Sequence, residues 1–108
     1  MNIANIRGSD EDFHLLVTTG RSQSATMRLA PGDATSEEPN THPHSDQVVL
    51  LLEGEVVAEI GGERATLREN QCVTVPAGVE HRFINQGTSP AFAFTVYGPP
   101  AYPTDDPT

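Results

Sequence analysis

Short apolar segments recur along the chain, and glycine, proline, aspartate or serine residues separate them. A spacing of about eight to twelve residues between turns is typical of a β-sandwich or barrel. No window carries an apolar stripe at helical spacing over three turns, which argues against helices. The pattern predicts an all-β, antiparallel fold with strands at residues 13–18, 25–30, 46–52, 55–60, 63–67, 71–75, 80–85 and 91–97.

The third predicted strand is apolar on both faces, because residues 48–52 read Val-Val-Leu-Leu-Leu. A strand of this kind is usually covered on both sides. We expect one side to face a barrel interior and the other to face another sheet or a second subunit. The strand therefore predicts a homodimer.

A chain of 108 residues has room for one hydrophobic core. We therefore predict a single domain over residues 1–108, with its core at about residues 12–98. Residues 31–41 are polar and carry glycine, proline and aspartate, so they are predicted to form a loop. Four prolines fall in the tail, residues 98–108, which is expected to be extended and irregular and to lie over the barrel.

The formal net charge is −9, from 15 acidic residues and 6 basic ones. Such a surface repels phosphate backbones and anionic lipids, so we expect no nucleic acid and no membrane partner. All the basic residues are arginines, which excludes Schiff-base chemistry and a lysine-dependent phosphate loop.

Cys72 is the only cysteine, so no disulfide can form within the chain. It lies in an apolar run and is predicted to be a buried structural thiol. The chain has no apolar segment of about eighteen residues, and its first residues lack the apolar core of a signal peptide. We therefore expect a cytoplasmic protein.

Histidines cluster in two places, at His42-Pro43-His44 and in the segment Pro76-Ala77-Gly78-Val79-Glu80-His81. In an extended chain, His42 and His44 share a face and can reach one ion. Pro76 ends a strand and Gly78 permits a tight reversal, so His81 enters the next strand aimed into the barrel. Histidine is the commonest protein ligand for transition metals.

The two segments H-P-H-S-D-Q-V-V-L-L-L-E-G and P-A-G-V-E-H, the latter followed by Asn85, resemble the two-motif signature of the cupin family. The resemblance covers residues 40–54 and 70–85. It implies a jelly-roll or double-stranded β-helix barrel around a pocket that takes a small organic molecule. It also implies a divalent transition metal (Fe, Mn, Ni or Zn), with these ligands: His42, His44, Gln47 and His81.

The first motif departs from the family pattern in two ways. Gln47 stands where the family has a glutamate, so the donor is neutral and binds a dication more weakly. Only two residues separate His44 from Gln47, one fewer than the pattern allows. Counting from His42 instead gives an alternative set in which Asn40 takes the first position and His44 is a loop residue: Asn40, His42, Gln47 and His81.

Other residues with possible chemistry have simpler interpretations. His14 is predicted to lie on the surface and Arg82 to form a salt bridge on the face opposite His81. Arg28 is either a solvated cation or a group at the barrel mouth that holds a carboxylate. The aromatic residues of the last strands are predicted to pack in the core, with some of them lining the pocket: Phe83, Phe92 and Phe94.

Two functions remain open. One is a metal-binding cupin that acts on a small organic molecule, as a dioxygenase or an isomerase of a sugar or keto acid. The alternative is a non-catalytic cupin that binds a small ligand or serves as a sensor, because the carboxylate position of its metal site is weakened.

Overall fold

The computed structural model describes residues 1–104, and this part of the chain contains strands and no helix. No segment of residues 1–104 is therefore a helix that could cross a membrane. Each of the strands predicted from the sequence is present. Their bounds are β1 Phe13–Thr18, β2 Gln23–Leu29, β3 Asp46–Glu53, β4 Glu55–Ile60, β5 Glu63–Arg68, β6 Cys72–Val75, β7 His81–Ile84 and β8 Ala91–Gly98.

The strands form two antiparallel sheets, one of five strands in the order β1-β2-β8-β3-β6 and one of three in the order β5-β4-β7. Consecutive strands β3 and β4 therefore lie in different sheets, as in a jelly roll. Alternating side chains of both sheets meet in one core cluster. Its buried members are Met27, Val49, Leu51, Val56, Ala58, Leu67, Val75, Phe83, Ala91 and Ala93.

The two faces of β3 differ in burial. Gln47, Val49 and Leu51 point inward and are buried, whereas Val48 is 41% exposed on the outer face. There Val48 lies opposite Val96 of the neighbouring strand β8. This apolar outer face is the surface that a second subunit would cover, and the homodimer stays a prediction. Light scattering should then give twice the 11.6 kDa chain mass, and a mass near the monomer value would contradict it.

The prediction for Cys72 is wrong, because its side chain is exposed. Strand β6 is the edge of the five-stranded sheet, and burial alternates along it. Val75 is buried on the inner face, while Cys72 and Thr74 share the outer face. An apolar run at an edge strand is thus covered on one side only.

The predicted loop, residues 31–41, runs along the outer edge of β7. Thr35 N–H donates to the Phe83 carbonyl at 2.9 Å, and Asn85 N–H donates to the Asp33 carbonyl at 2.8 Å. At its far end, Asn40 and His81 exchange both backbone hydrogen bonds, each at 2.8 Å. The loop therefore covers an edge that would otherwise be open, and it carries the first histidine motif to the second.

Gly54 alone connects β3 to β4, at a φ of 82°. A Cβ atom at this position would lie 2.6 Å from the Pro90 carbonyl oxygen and 3.0 Å from the Ala91 Cα. These are backbone atoms of the chain entering β8, which cannot move aside as a flexible side chain can. Glycine is therefore required here for its conformation and for its size.

We predict that Gly54→Ala lowers the free energy of unfolding by about 3 kcal/mol, because a left-handed backbone and a steric clash add. Gly62→Ala is the matched control, since Gly62 has a φ of 83° and no atom within 4 Å of its added Cβ. The control should lose only about 1 kcal/mol. Denaturant unfolding measures the free energy of unfolding of both variants, provided that the m-value is unchanged. Equal losses in the two variants would show that the contact with the Pro90 backbone does not matter.

Candidate functional site

A cavity of about 400 Å³ opens between the two sheets. Six of its sixteen lining residues carry aromatic or imidazole rings, and Asn40 and Gln47 are among the polar ones. The rings come from five parts of the chain: β1, β7, β8, the loop before β3 and the C-terminal segment. These rings belong to Phe13, His42, His81, Phe83, Tyr97 and Tyr102.

His81 begins β7 and is 5% exposed. The turn before it forms as predicted, with Val79 N–H bonded to the Pro76 carbonyl at 3.1 Å and a positive φ at Gly78. The imidazole Nδ1 lies 3.1 Å from the Val79 carbonyl oxygen, to which it can only donate. This bond leaves Nε2 unprotonated in the neutral ring, with its lone pair free for an ion or a ligand.

His42 is fixed beside His81 by main-chain bonds. The backbone pairing of Asn40 with His81 continues in a bond from Gly78 N–H to the His42 carbonyl at 2.9 Å. The two imidazole centroids lie 5.1 Å apart. Burial lowers the pKa of the His42 imidazole below its usual range, and the charge of His81 lowers it further. His42 is therefore neutral at pH 7 and available as a donor of a lone pair.

His44 does not reach the cavity. Pro43 and His44 form a turn, which ends the extended chain that the predicted pairing of His42 with His44 requires. The His44 side chain is exposed and is not part of the cavity lining. The structure thus brings together the alternative set, Asn40, His42, Gln47 and His81. Within it, Asn40 is exposed at the rim and its Oδ1 accepts the Thr41 N–H at 2.9 Å.

Gln47 lies on the inner face of β3 and is 2% exposed. Its Nε2 donates to the Thr95 hydroxyl at 3.1 Å and to the Tyr97 hydroxyl at 3.2 Å. Thr95 itself donates to the Val48 carbonyl at 3.0 Å, so its oxygen must accept from Gln47. This chain fixes the orientation of the amide. The carbonyl Oε1 is buried, and no donor within residues 1–104 reaches it.

Two tyrosines complete the site and were not predicted from the sequence. Tyr97 is 1% exposed and lies directly opposite Gln47 in the β3–β8 pairing. Burial raises the pKa of the Tyr97 phenol, and the neighbouring Tyr102 raises it further. The available signal was the period of two along the strand, since Tyr97 lies on the same face as the buried residues Thr95 and Ala93. The pairing of β8 with β3 was needed to use it.

A family model described as Cupin domain matches residues 25–97. The chain belongs to the cupin family. Solved structures agree with this fold. A protein named TT1209 from Thermus thermophilus is 31% identical with a TM-score of 0.76, over 92% of this chain and 98% of that one. BH2720 from Bacillus halodurans has a TM-score of 0.83 at 23% identity, over 91% and 77% of the two chains, and supports the fold alone.

Two relatives of this cupin have names that concern polyketides. Polyketide synthase CurC of Streptomyces cyaneus is 35% identical over 88 residues, which are 79% of this chain and 56% of CurC. Tetracenomycin polyketide synthase protein TcmJ of Streptomyces glaucescens is 37% identical over 65 residues, 60% of this chain and 42% of TcmJ. The cupin thus spans about half the length of these relatives.

The two arginines singled out from the sequence, Arg28 and Arg82, both have partners. The Arg28 guanidinium lies 4.3 Å from the Phe92 ring centroid, and its Nε donates to the Ser9 carbonyl at 3.2 Å. Arg28 is therefore not a freely solvated cation, and because it also borders the cavity, its role in holding a carboxylate stays a prediction. Arg82 forms the predicted salt bridge, with Glu59.

Some predictions for the remaining ring residues hold and others do not. Phe83 is buried and lines the cavity. Phe92 is buried, but under the guanidinium groups of Arg7 and Arg28 on the outer face, and it is absent from the core cluster. Phe94 shares that face. His14 lies opposite Thr26 and is half-buried, so its ring is less exposed than expected.

The donors fit a divalent transition metal, but only weakly. Within the described chain no three His, Cys, Asp or Glu side chains come close enough to hold an ion. The available donors are His42, the Nε2 of His81 and the unpaired Oε1 of Gln47, and none of them brings a negative charge. Imidazole and carbonyl donors suit Zn, Fe and Ni, yet none of them offsets the charge of the ion.

We predict that His44→Ala leaves the affinity for Co²⁺ within about twofold of the wild type, because its side chain lies outside the cavity. His81→Ala should weaken the affinity at least tenfold, a cost of about 1.4 kcal/mol. Calorimetric titration of both variants with Co²⁺ checks this. An equal loss in the two variants would restore His44 to the ligand set.

Proposed function

We propose that this cupin binds a divalent transition metal (Fe, Mn, Ni or Zn) and acts on a small organic molecule in the cavity, as a dioxygenase or an isomerase. The observation that carries the proposal is the buried, unpaired carbonyl oxygen of Gln47 on a wall shared with the imidazoles of His42 and His81. A buried acceptor without a donor costs free energy unless an ion, a water or a ligand satisfies it.

The protein prepares each donor separately. The bond to the Val79 carbonyl sets the tautomer of His81, and burial keeps His42 unprotonated. The Thr95 and Tyr97 oxygens hold the Gln47 amide so that its carbonyl cannot turn toward them. A bound ion would act as a Lewis acid that polarises an oxygen of the substrate.

The lining favours a neutral molecule that carries rings. Arg28 is the only arginine on the cavity lining, and its guanidinium is engaged with Phe92 and Ser9. Asp12 and Asp33 lie on the same lining and disfavour anions. Aromatic walls pack well against planar rings. The names of the relatives CurC and TcmJ concern polyketides, which supports a polyketide-like molecule over a sugar or keto acid.

A second candidate is a non-catalytic cupin that binds the same class of molecule without a metal. The neutrality of the donor set favours it, because the three candidate donors bring no negative charge to a dication. In that case the ligand's own hydroxyl groups would donate to Gln47 Oε1 and His81 Nε2. The two candidates share the cavity and differ in metal content.

Metal content measured by mass spectrometry on untagged protein separates the two candidates. Near-stoichiometric transition metal after growth in supplemented medium supports the first. Metal-free protein that still binds a ring compound, such as phenol, supports the second and overturns the first.

We predict that Gln47→Glu tightens divalent metal binding at least tenfold, because it adds a full negative charge beside the ion. In the presence of EDTA the same variant should melt at a lower temperature, since the buried carboxylate cannot donate to Thr95 as the amide does. Thermal melting with and without Co²⁺ and calorimetric titration measure both effects.

Gln71→Glu is the matched control for charge, because Gln71 is exposed and lies outside the cavity. Gln71→Glu should leave the affinity for Co²⁺ within about twofold of the wild type. Its melting temperature in the presence of EDTA should match that of the wild type. If Gln47→Glu binds Co²⁺ no better than the wild type while the fold is intact, Gln47 is not a metal ligand.

A further inference from the structure

The C-terminal segment after β8 is fastened to the barrel by one buried side chain. Gln23, at the start of β2, is 0% exposed. Its Oε1 accepts the backbone N–H groups of Ala101 at 3.1 Å and Tyr102 at 3.0 Å. Its Nε2 donates to the Tyr102 carbonyl at 2.9 Å and to the Thr18 hydroxyl at 3.1 Å.

These bonds use the full capacity of the amide, which has two N–H donors and two lone pairs on its oxygen. Three of them go to the backbone of the C-terminal segment. Terminal segments of domains are poorly ordered unless they are tied down, and a buried, fully paired glutamine ties this one. The position of Tyr102 is therefore determined by the barrel.

The ring of Tyr102 enters the cavity wall between three other rings. Its centroid lies 4.9 Å from that of Phe13, 5.3 Å from that of Tyr97 and 5.5 Å from that of His42. The contact with His42 is edge-to-face, at an interplanar angle of 68°. The hydroxyl of the neighbouring Tyr97 accepts a hydrogen bond from Gln47 Nε2 at 3.2 Å.

We propose that Tyr102 is a specificity-determining residue, which limits the length of the ring system that the cavity accepts beside His42. Gln23 is the positioning residue that holds Tyr102 in the wall. The inference rests on the proposed function in so far as it concerns the same cavity and the same neutral, ring-bearing class of ligand. It requires no metal.

Two tyrosine rings flank His42, that of Tyr97 at 5.1 Å and that of Tyr102 at 5.5 Å, and of these two only Tyr102 lies outside the strands. The other rings on the lining lie on strands or in the loop paired with β7, and their positions follow from the sheets. Tyr102 lies beyond the end of β8 and reaches the cavity only through the Gln23 clamp. Removing the ring should extend the cavity by about the volume of a phenol group without disturbing a strand.

The test compares phenol with 2-naphthol, titrated into metal-free protein with EDTA present and followed by ¹H–¹⁵N NMR. The wild type should favour phenol. Tyr102→Ala should shift the ratio of the two dissociation constants at least tenfold toward 2-naphthol, because the second ring then has room. Tyr102→Phe keeps the ring and should keep most of the discrimination.

The role of Gln23 is tested separately with Gln23→Met, which is similar in size and forms none of the amide bonds. Exchange of the Ala101 and Tyr102 amide hydrogens should become at least tenfold faster, and the probe ratio should shift in the same direction as in Tyr102→Ala. Pro103→Ala is the matched control, since Pro103 is the exposed neighbour of Tyr102. It should change neither readout.

An unchanged ratio in folded Tyr102→Ala overturns the inference, and so does a failure of both probes to bind that variant. If Tyr102→Ala does not fold, Tyr102→Leu takes its place. The ratio of dissociation constants should again shift toward 2-naphthol. Because EDTA is present throughout, the ratio of the two dissociation constants can be measured even if the protein binds no metal. A failure of the proposed metal chemistry is thus distinguishable from a failure of this inference.

Discussion

The site depends on the pair of backbone hydrogen bonds between Asn40 and His81. These bonds, each 2.8 Å long, fasten a loop of irregular chain to the edge of β7. Residues paired in this way project their side chains to the same side, and the chain continues extended as far as His42. Two motifs that are about forty residues apart in the sequence therefore meet at one end of the cavity. A shift of one residue in this pairing would turn both His42 and Asn40 away from it.

The strands were predictable because each obeys a local rule. Alternating apolar positions, a glycine turn or a proline at the strand end marks each of them in the sequence. The P-x-G-x-x-H turn also forms as its residues predict. The outcome for Cys72 shows the limit of such rules. Whether an apolar run is covered on one face or on two depends on whether its strand is central or at an edge, and only the sheet order gives that.

The membership of the site was harder to predict, because it depends on contacts between distant parts of the chain. Spacing alone allowed both His44 and Asn40, and the turn at Pro43–His44 places Asn40, rather than His44, beside the cavity. Tyr97 required the register of β8 against β3. Tyr102 required a side-chain clamp that no periodicity encodes. The relatives agree with the family and do not identify the metal or the substrate. The cupin covers only about half of their length, so their activities need not be its own.

The chain contains two tyrosines and no tryptophan, and both tyrosines line the cavity. Its intrinsic ultraviolet fluorescence therefore originates at one place, within 5.5 Å of the His42 ring for Tyr102 and 5.1 Å for Tyr97. An ion or planar molecule that binds beside His42 therefore lies close to both emitters. The protein thus carries a label-free optical reporter of its own pocket, in which emission from the rest of the fold contributes almost no background.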